Sequence, residues 1–207
     1  MLRITNLSKS YGRHRVVNNV NLLVPSTGIH LIRGENGTGK TTLLKCLAGL
    51  ERFTGEATWH KSDLRDYVSA AFDDSAVHER LTGLQNLSAL LDIPHRLAIA
   101  HPVIRTFLSR DLLDRRSSTY SLGQRKKLKL AAAFASGRPC ILLDEPNAGL
   151  DEHGRRALRQ ALESVEASTC VVVFDHDHVS YGDLASSGFT IRRGKVRLDR
   201  EPRALVR

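Results

Sequence analysis

Apolar and polar positions alternate from Leu2 to Leu7, the period of a strand with one buried face. The alternation resumes over residues 16–24, where Val17, Val20, Leu22 and Val24 are separated mainly by asparagines. Pro25-Ser26-Thr27-Gly28 then turns the chain. Ile29-His30-Leu31-Ile32 predicts a short buried strand running straight into a glycine-rich loop. A helix follows from about Lys40 to Gly49, with glycine as its stop. Gly55 to Trp59 and Tyr67 to Phe72 predict two further strands. From about Ser75 to Ser118 the period changes: Leu, Ala and charged residues predict two or three helices broken at Pro94 and Pro102. Beyond them the pattern predicts a long helix from Ser121 to Ser136, a strand from Cys140 to Leu143, a helix from Asp151 to Ala167 and a strand from Thr169 to Phe174. A closing hairpin from Phe189 to Leu198 turns at Gly194. Strands alternating with helices imply a parallel sheet with crossover helices, so the fold class is α/β.

Composition narrows this little. The 207 residues suit one domain, and 41% hydrophobic with 26% charged residues is ordinary for a globular protein. Cys46, Cys140 and Cys170 are too few and too scattered for a disulfide framework or a paired-cysteine metal site, and each lies in an apolar run. Buried free thiols in a reducing compartment are expected. No apolar run reaches the length of a membrane span, and the N-terminus lacks a signal-peptide core, so a cytoplasmic location is expected. The net charge of +9 admits nucleic acid, anionic lipid or a phosphate ligand. Its densest run, Arg125-Lys126-Lys127 with Lys129, lies inside a motif considered below. With aromatics at only 5%, no base-stacking surface and no nucleic-acid partner are expected.

The chemistry concentrates in a few places. Gly34-Glu35-Asn36-Gly37-Thr38-Gly39-Lys40-Thr41-Thr42 fits the spacing GxxxxGK[ST] between a strand and a helix. Its glycines let backbone N–H groups close on a phosphate, Lys40 reaches the β- and γ-phosphates, and the Thr41 hydroxyl suits magnesium. Ile141-Leu142-Leu143-Asp144-Glu145 is an apolar strand ending in two acids. As strand neighbours they are expected to point to opposite faces, one toward hydrated magnesium and the other free to act as a base. Ser121 and Gln124 are spaced as a capping box, which aims a helix N-terminus outward. His176 follows an apolar strand and Asp175.

Taken in order, these motifs resemble the nucleotide-binding subunit of ATP-binding cassette (ABC) transporters over nearly the whole chain. Tyr11 looks like the family's aromatic adenine platform, with Val16 close behind. Gly34 to Thr42 resembles its Walker A loop, and Tyr120-Ser121-Leu122-Gly123-Gln124 stands where the family has its signature. Ile141 to Glu145 resembles Walker B, Asn147-Ala148-Gly149-Leu150-Asp151 the D-loop, and His176 the switch histidine. The resemblance implies a P-loop NTPase core with a mixed, mainly parallel sheet and an N-terminal antiparallel β-subdomain, residues 1–74 and 119–207, and a small helical subdomain, residues 75–118. It implies ATP and Mg²⁺ as cofactors and Glu145, His176 and Lys40 as catalytic residues. Tyr11, Val16, Gly34 to Thr42, Ser121, Gly123, Gln124 and Asp151 would hold nucleotide, and Thr41, Asp144 and Asp73 would attend the metal. The implied assembly is a head-to-tail dimer of two copies, or with a related ATPase subunit, sandwiching two ATP molecules and powering an integral membrane transport subunit from the cytoplasmic face. A lean toward export follows from the absence of an appended regulatory domain. In size the chain is similar to the ATPase of the haem exporter used in cytochrome c maturation. There are two departures. Asp73, or alternatively Asp74, stands where the family has its loop glutamine, and Leu122 replaces a signature glycine, placing bulk where backbone and phosphate approach closely.

Overall fold

The structure of the protein, a computed structural model, describes residues 1–74, 77–165, 168–176, 181 and 183–200. The chain forms two compact units. One contains Met1–Ala70, Arg138–Glu145 and the chain from Val165 onward; the other contains Ala71–Gly137 and Pro146–Ser164.

The first unit holds two sheets. Strands β1 (Leu2–Tyr11), β2 (His14–Val24), β4 (Thr54–Trp59) and β5 (Ser62–Asp63) form an antiparallel sheet in the order β2-β1-β4-β5. Leu2 lies opposite both Val24 and Trp59, and all three are buried. The asparagines spacing this region have a conformational use. Asn6 and Asn19 take φ of 52° and 50° where the β1–β2 register shifts, a backbone that asparagine tolerates better than most residues. Asn6 N–H donates to Asn21 Oδ1 and Asn19 N–H to Ser8 Oγ, so the irregular backbone is satisfied by side chains.

The second sheet has the order β10-β9-β3-β8-β7-β6, built from β3 (Gly28–Arg33), β6 (Val68–Ala71), β7 (Cys140–Asp144), β8 (Cys170–Asp175), β9 (Ala185–Arg192) and β10 (Lys195–Arg200). β7, β8, β3 and β9 run parallel, and β10 returns antiparallel to β9. Every residue of β7 and β8 is buried, which is why both read as continuous apolar runs rather than alternating ones. Helix α1 (Lys40–Leu47) packs on these strands with Leu43, Leu44 and Leu47 buried. The three cysteines are free and buried, as expected, with Cys140 and Cys170 register neighbours.

The second unit is helical: α2 (Gly83–Leu91), α3 (His95–Ala100), α4 (Pro102–Phe107), α5 (Arg110–Asp114), α6 (Leu122–Ala135) and α7 (Glu152–Glu163). Among the described residues of this unit four short helices precede α6, where two or three were expected. The prolines begin helices rather than merely breaking them: Pro94 is the N-cap of α3, and Pro102 occupies the first turn of α4, where its missing N–H costs nothing. Leu87, Ile104, Phe107 and Leu128 fill this core, and Phe107 stacks on Phe134 with ring centroids 6.1 Å apart. Helix α7 stops at Glu163, short of the expected Ala167; Ala167 itself, like the expected start of the helical segment at Ser75, lies outside the described residues.

Candidate nucleotide site

β3 delivers the chain into the glycine-rich loop, and α1 leaves it at Lys40. Among the described helices of eight or more residues, α2, α6 and α7 are capped by Thr82, Ser121 and Asp151, whereas α1 has Gly39 at its N-cap and no side-chain cap. Its first N–H groups are thus left to a ligand, at the positive end of the helix. Gly39 has φ 103°, and a Cβ there would lie 3.0 Å from the Val16 carbonyl oxygen. A Cβ on Gly34 would lie 2.7 Å from Thr38 Oγ1 and 2.6 Å from an Ile191 methyl. The loop therefore closes only with glycine at these points, and the Val16 carbonyl sits against it. The Glu35 carbonyl accepts from Thr38 Oγ1 at 2.8 Å, while Glu35, Asn36 and Gly37 form the exposed crest.

Lys40 lies along the loop, its Nζ donating to the carbonyls of Gly34 at 2.8 Å and Glu35 at 3.2 Å. The same Nζ is 3.6 Å from Glu145 Oε1. Thr41 Oγ1 donates to Asp144 Oδ2 at 2.7 Å, joining a hydroxyl from α1 to the carboxylate that ends β7. Both are hard oxygen donors of the kind Mg²⁺ takes, and the glycine cradle beside them has the geometry for phosphate, so these residues fit a magnesium–nucleotide pair.

The two acids do not keep the strand geometry expected of them. Glu145 takes φ 42°, outside the extended range, and its N–H donates to the Phe174 carbonyl at 2.8 Å. This left-handed step, uncommon for a residue with a side chain, brings Glu145 into the same site as Asp144 instead of sending it to the opposite face of the sheet. Its Oε1 lies 3.6 Å from both Lys40 Nζ and His176 Nδ1. His176 Nδ1 is also 3.3 Å from Asp175 Oδ1, and the buried Asp175 accepts from the Tyr181 hydroxyl at 3.2 Å. Asp175 was not singled out in the sequence, although its place at the end of β8 beside His176 was a usable signal. Tyr11, at the end of β1, is half-exposed, with the Thr42 hydroxyl beside its own. Burial and the neighbouring Glu51 carboxylate push the Tyr11 hydroxyl above its ordinary pKa.

The remaining site residues lie in the helical unit. Ser121 Oγ accepts from Gln124 N–H at 3.2 Å, and Gln124 Oε1 accepts from Ser121 N–H at 3.0 Å, completing the capping box at the start of α6. A Cβ on Gly123 would lie 2.6 Å from the Gly149 carbonyl oxygen, so the turn of residues 147–150 rests on this glycine. Leu122, the first residue of α6, is 84% exposed. Asp151 caps α7 through Gly154 N–H at 2.7 Å and pairs with Lys127 at 2.8 Å, which holds its carboxyl below the ordinary range, chiefly through Lys127. Asp73 pairs with Lys126 at 3.2 Å, and Lys129 Nζ donates to the carbonyls of Phe72, at 3.3 Å, and of Asp73. Burial lowers the Lys129 pKa. With Arg125 on Glu79 at 2.8 Å, the basic run noted in the sequence is paired residue by residue within its own unit.

A phosphate loop, a strand-end acid bonded to its threonine and a second acid beside a histidine define a nucleotide-hydrolysing P-loop protein. The sequence pattern of the ABC transporter family matches residues 17–148, more than half of the chain, and the chain belongs to that family as an ATP-binding, ATP-hydrolysing cassette with ATP and Mg²⁺ as cofactors. It is 29% identical to the lantibiotic transport ATP-binding protein SrtF of Streptococcus pyogenes over 97% of this chain and 91% of that one. It is 30% identical to the sulfate/thiosulfate import ATP-binding protein CysA of Escherichia coli (strain K12) over 94% of this chain and 58% of that protein. Among solved structures, the ATP-binding subunit of an ABC transporter superposes with a TM-score of 0.85 at 22% identity, over 97% of this chain and 90% of the other. A dimeric ATP-binding cassette bound to ADP and phosphate superposes with a TM-score of 0.84 at 22% identity, over 97% and 98% of the two chains. These superpositions establish the shared fold.

Proposed function

We propose that the chain is the ATPase subunit of a membrane transporter, working as a head-to-tail dimer of two copies, or with a related subunit, on the cytoplasmic face of a separate integral membrane subunit. The observation that carries this reading is the convergence of Lys40, Thr41, Asp144, Glu145 and His176 in one unit, while the capped signature helix α6 belongs to the other. In the proposed dimer Ser121, Gly123 and Gln124 of one copy face the γ-phosphate held by the loop of the other, with the turn ending at Asp151 beside them. Residues 75–118 form the subdomain that meets the membrane subunit, and nucleic acid is not a partner.

Within the site the phosphate loop binds the triphosphate through its N–H groups and Lys40, and Tyr11 and Val16 receive the base. Thr41 and Asp144 would hold magnesium, which supplies charge neutralisation of the phosphates. Glu145 takes the proton of the attacking water, and His176, braced by Asp175, positions that carboxylate. Asp73 is proposed on the metal side from its place in the sequence. Its carboxylate rests on Lys126, so reaching a metal requires that ion pair to open. Outward transport is the finer reading, supported by similarity to the lantibiotic transport subunit over nearly the full length of both chains; the import subunit is matched over 58% of its length. Magnesium-dependent ATP hydrolysis by the purified chain, compared with Glu145→Gln, tests the activity. Substrate movement in vesicles carrying both subunits tests the direction. Absence of hydrolysis both alone and with the membrane subunit would overturn the first.

A further inference from the structure

Alternation places Lys9 and Tyr11 on the same face of β1, two residues apart. The Lys9 ammonium lies over the Tyr11 ring, 4.8 Å from its centroid. It is not a wandering surface lysine. Its side chain is only 12% exposed, and Nζ donates to Glu51 Oε2 at 2.7 Å and to the Arg52 carbonyl at 2.9 Å. Glu51 and Arg52 lie just past α1, the helix that begins at the phosphate loop. Tyr11 itself is 46% exposed, so the ring keeps accessible surface with the ammonium over it.

Resting on the reading of Tyr11 as the base platform, we infer that Lys9 is a positioning residue for the nucleotide base: anchored by Glu51 and the Arg52 carbonyl, its ammonium seats against one face of the Tyr11 ring and fixes the other face for stacking. A cation over a tyrosine ring is attracted by the ring's negative face. A ring so held loses less rotational freedom when a base stacks on it, so the complex forms with less ordering cost. Lys9 touches neither phosphate nor base. Its effect should therefore fall on ligands that carry a base and spare those that do not.

The test compares dissociation constants of ATP and of inorganic tripolyphosphate for the purified chain and for Lys9→Met, Lys9→Arg, Tyr11→Ala and the Lys9→Met/Tyr11→Ala double variant, with thermal melts verifying folding. Lys9→Met is expected to weaken ATP about 2- to 10-fold, with tripolyphosphate unchanged and the loss falling on KM rather than kcat. Lys9→Arg, which keeps the cation, should restore most of the affinity. Lys9→Met should add nothing in the Tyr11→Ala background. Equal weakening of tripolyphosphate, full additivity with Tyr11→Ala or unchanged ATP binding in Lys9→Met would overturn the inference, the first by reducing Lys9 to a strut of the whole loop. If Tyr11→Ala alone leaves ATP affinity unchanged, the platform reading of Tyr11 fails, and the inference fails with it by a route the single variants identify. Should Lys9→Met not fold, Lys9→Gln replaces it in the same comparison.

Discussion

The two units treat their polar groups in opposite ways. In the sheet unit the functional side chains lean on one another around a loop: Lys40 on Gly34 and Glu35, Thr41 on Asp144, Glu145 between Lys40 and His176. Among the described helices of eight or more residues, the one without a side-chain cap starts there. In the helical unit every comparable group is already committed to structure. Ser121 and Gln124 cap α6, Asp151 caps α7 and holds Lys127, and Asp73 holds Lys126. What this unit presents outward is the start of α6 with Leu122 standing clear of it. The first unit is built to grip a ligand and the second to keep a helix end rigid. Such a pairing suits a site whose halves come from different copies of the chain.

Removing the proton acceptor tests the gripping half hardest. Glu145→Gln keeps the shape of the side chain and is expected to cut ATP hydrolysis by about 100-fold or more while ATP binding survives; single-turnover hydrolysis measures it. Lys40→Ala should instead abolish tight ATP binding, as read by equilibrium dialysis, because the loop loses its only buried ammonium among the described residues.

In the rigid half, removing a helix cap predicts a loss of stability. Asp151→Ala removes the α7 cap and should cost about 1 kcal/mol in denaturant unfolding, with the phosphate-loop variants unaffected. The folded pKa of Asp151 lies below its ordinary value of 3.8. Its stabilising contribution is therefore fully present above that value and lost as pH falls through the folded pKa. The stability difference between the wild type and Asp151→Asn should accordingly shrink on acidification below about pH 4. A difference that grows on acidification would contradict the ion pair with Lys127.

The smallest effect belongs to Asp73. Its side chain is 82% exposed, so the pair with Lys126 should contribute less than about 1 kcal/mol to stability. Asp73→Gln is expected to keep or raise basal ATPase activity, with the magnesium concentration at half-maximal rate unchanged or lowered. A tenfold loss of rate would give the carboxylate a required role of its own.

The parts of the site that depend on near neighbours in the chain were readable from sequence. The loop glycines, the Ser121–Gln124 box and the apolar runs of β7 and β8 each state their geometry within a few residues. Glu145 was misplaced because its turn is set by Phe174, a residue 29 positions away that accepts from its N–H, and strand alternation does not register that partner. The pairing of Lys126 with Asp73 spans 53 positions, and the local sequence around the basic run does not name that partner. Pro94 and Pro102 separate α2, α3 and α4 as the spacing predicts, and each also starts the helix that follows it, because proline disfavours a helix before it and suits the first turn of one after it.

The central claim, a site shared between copies, is tested most directly by mixing two inactive variants. Lys40→Ala spoils the gripping half and Ser121→Arg the presented helix end. In a head-to-tail dimer of one of each, one composite site carries both defects and the other carries neither. The account predicts that the mixture hydrolyses ATP faster than either variant alone, with a rate that rises more than linearly with total protein. A mixture no more active than the average of its components, at concentrations where the wild type is fully active, would contradict it.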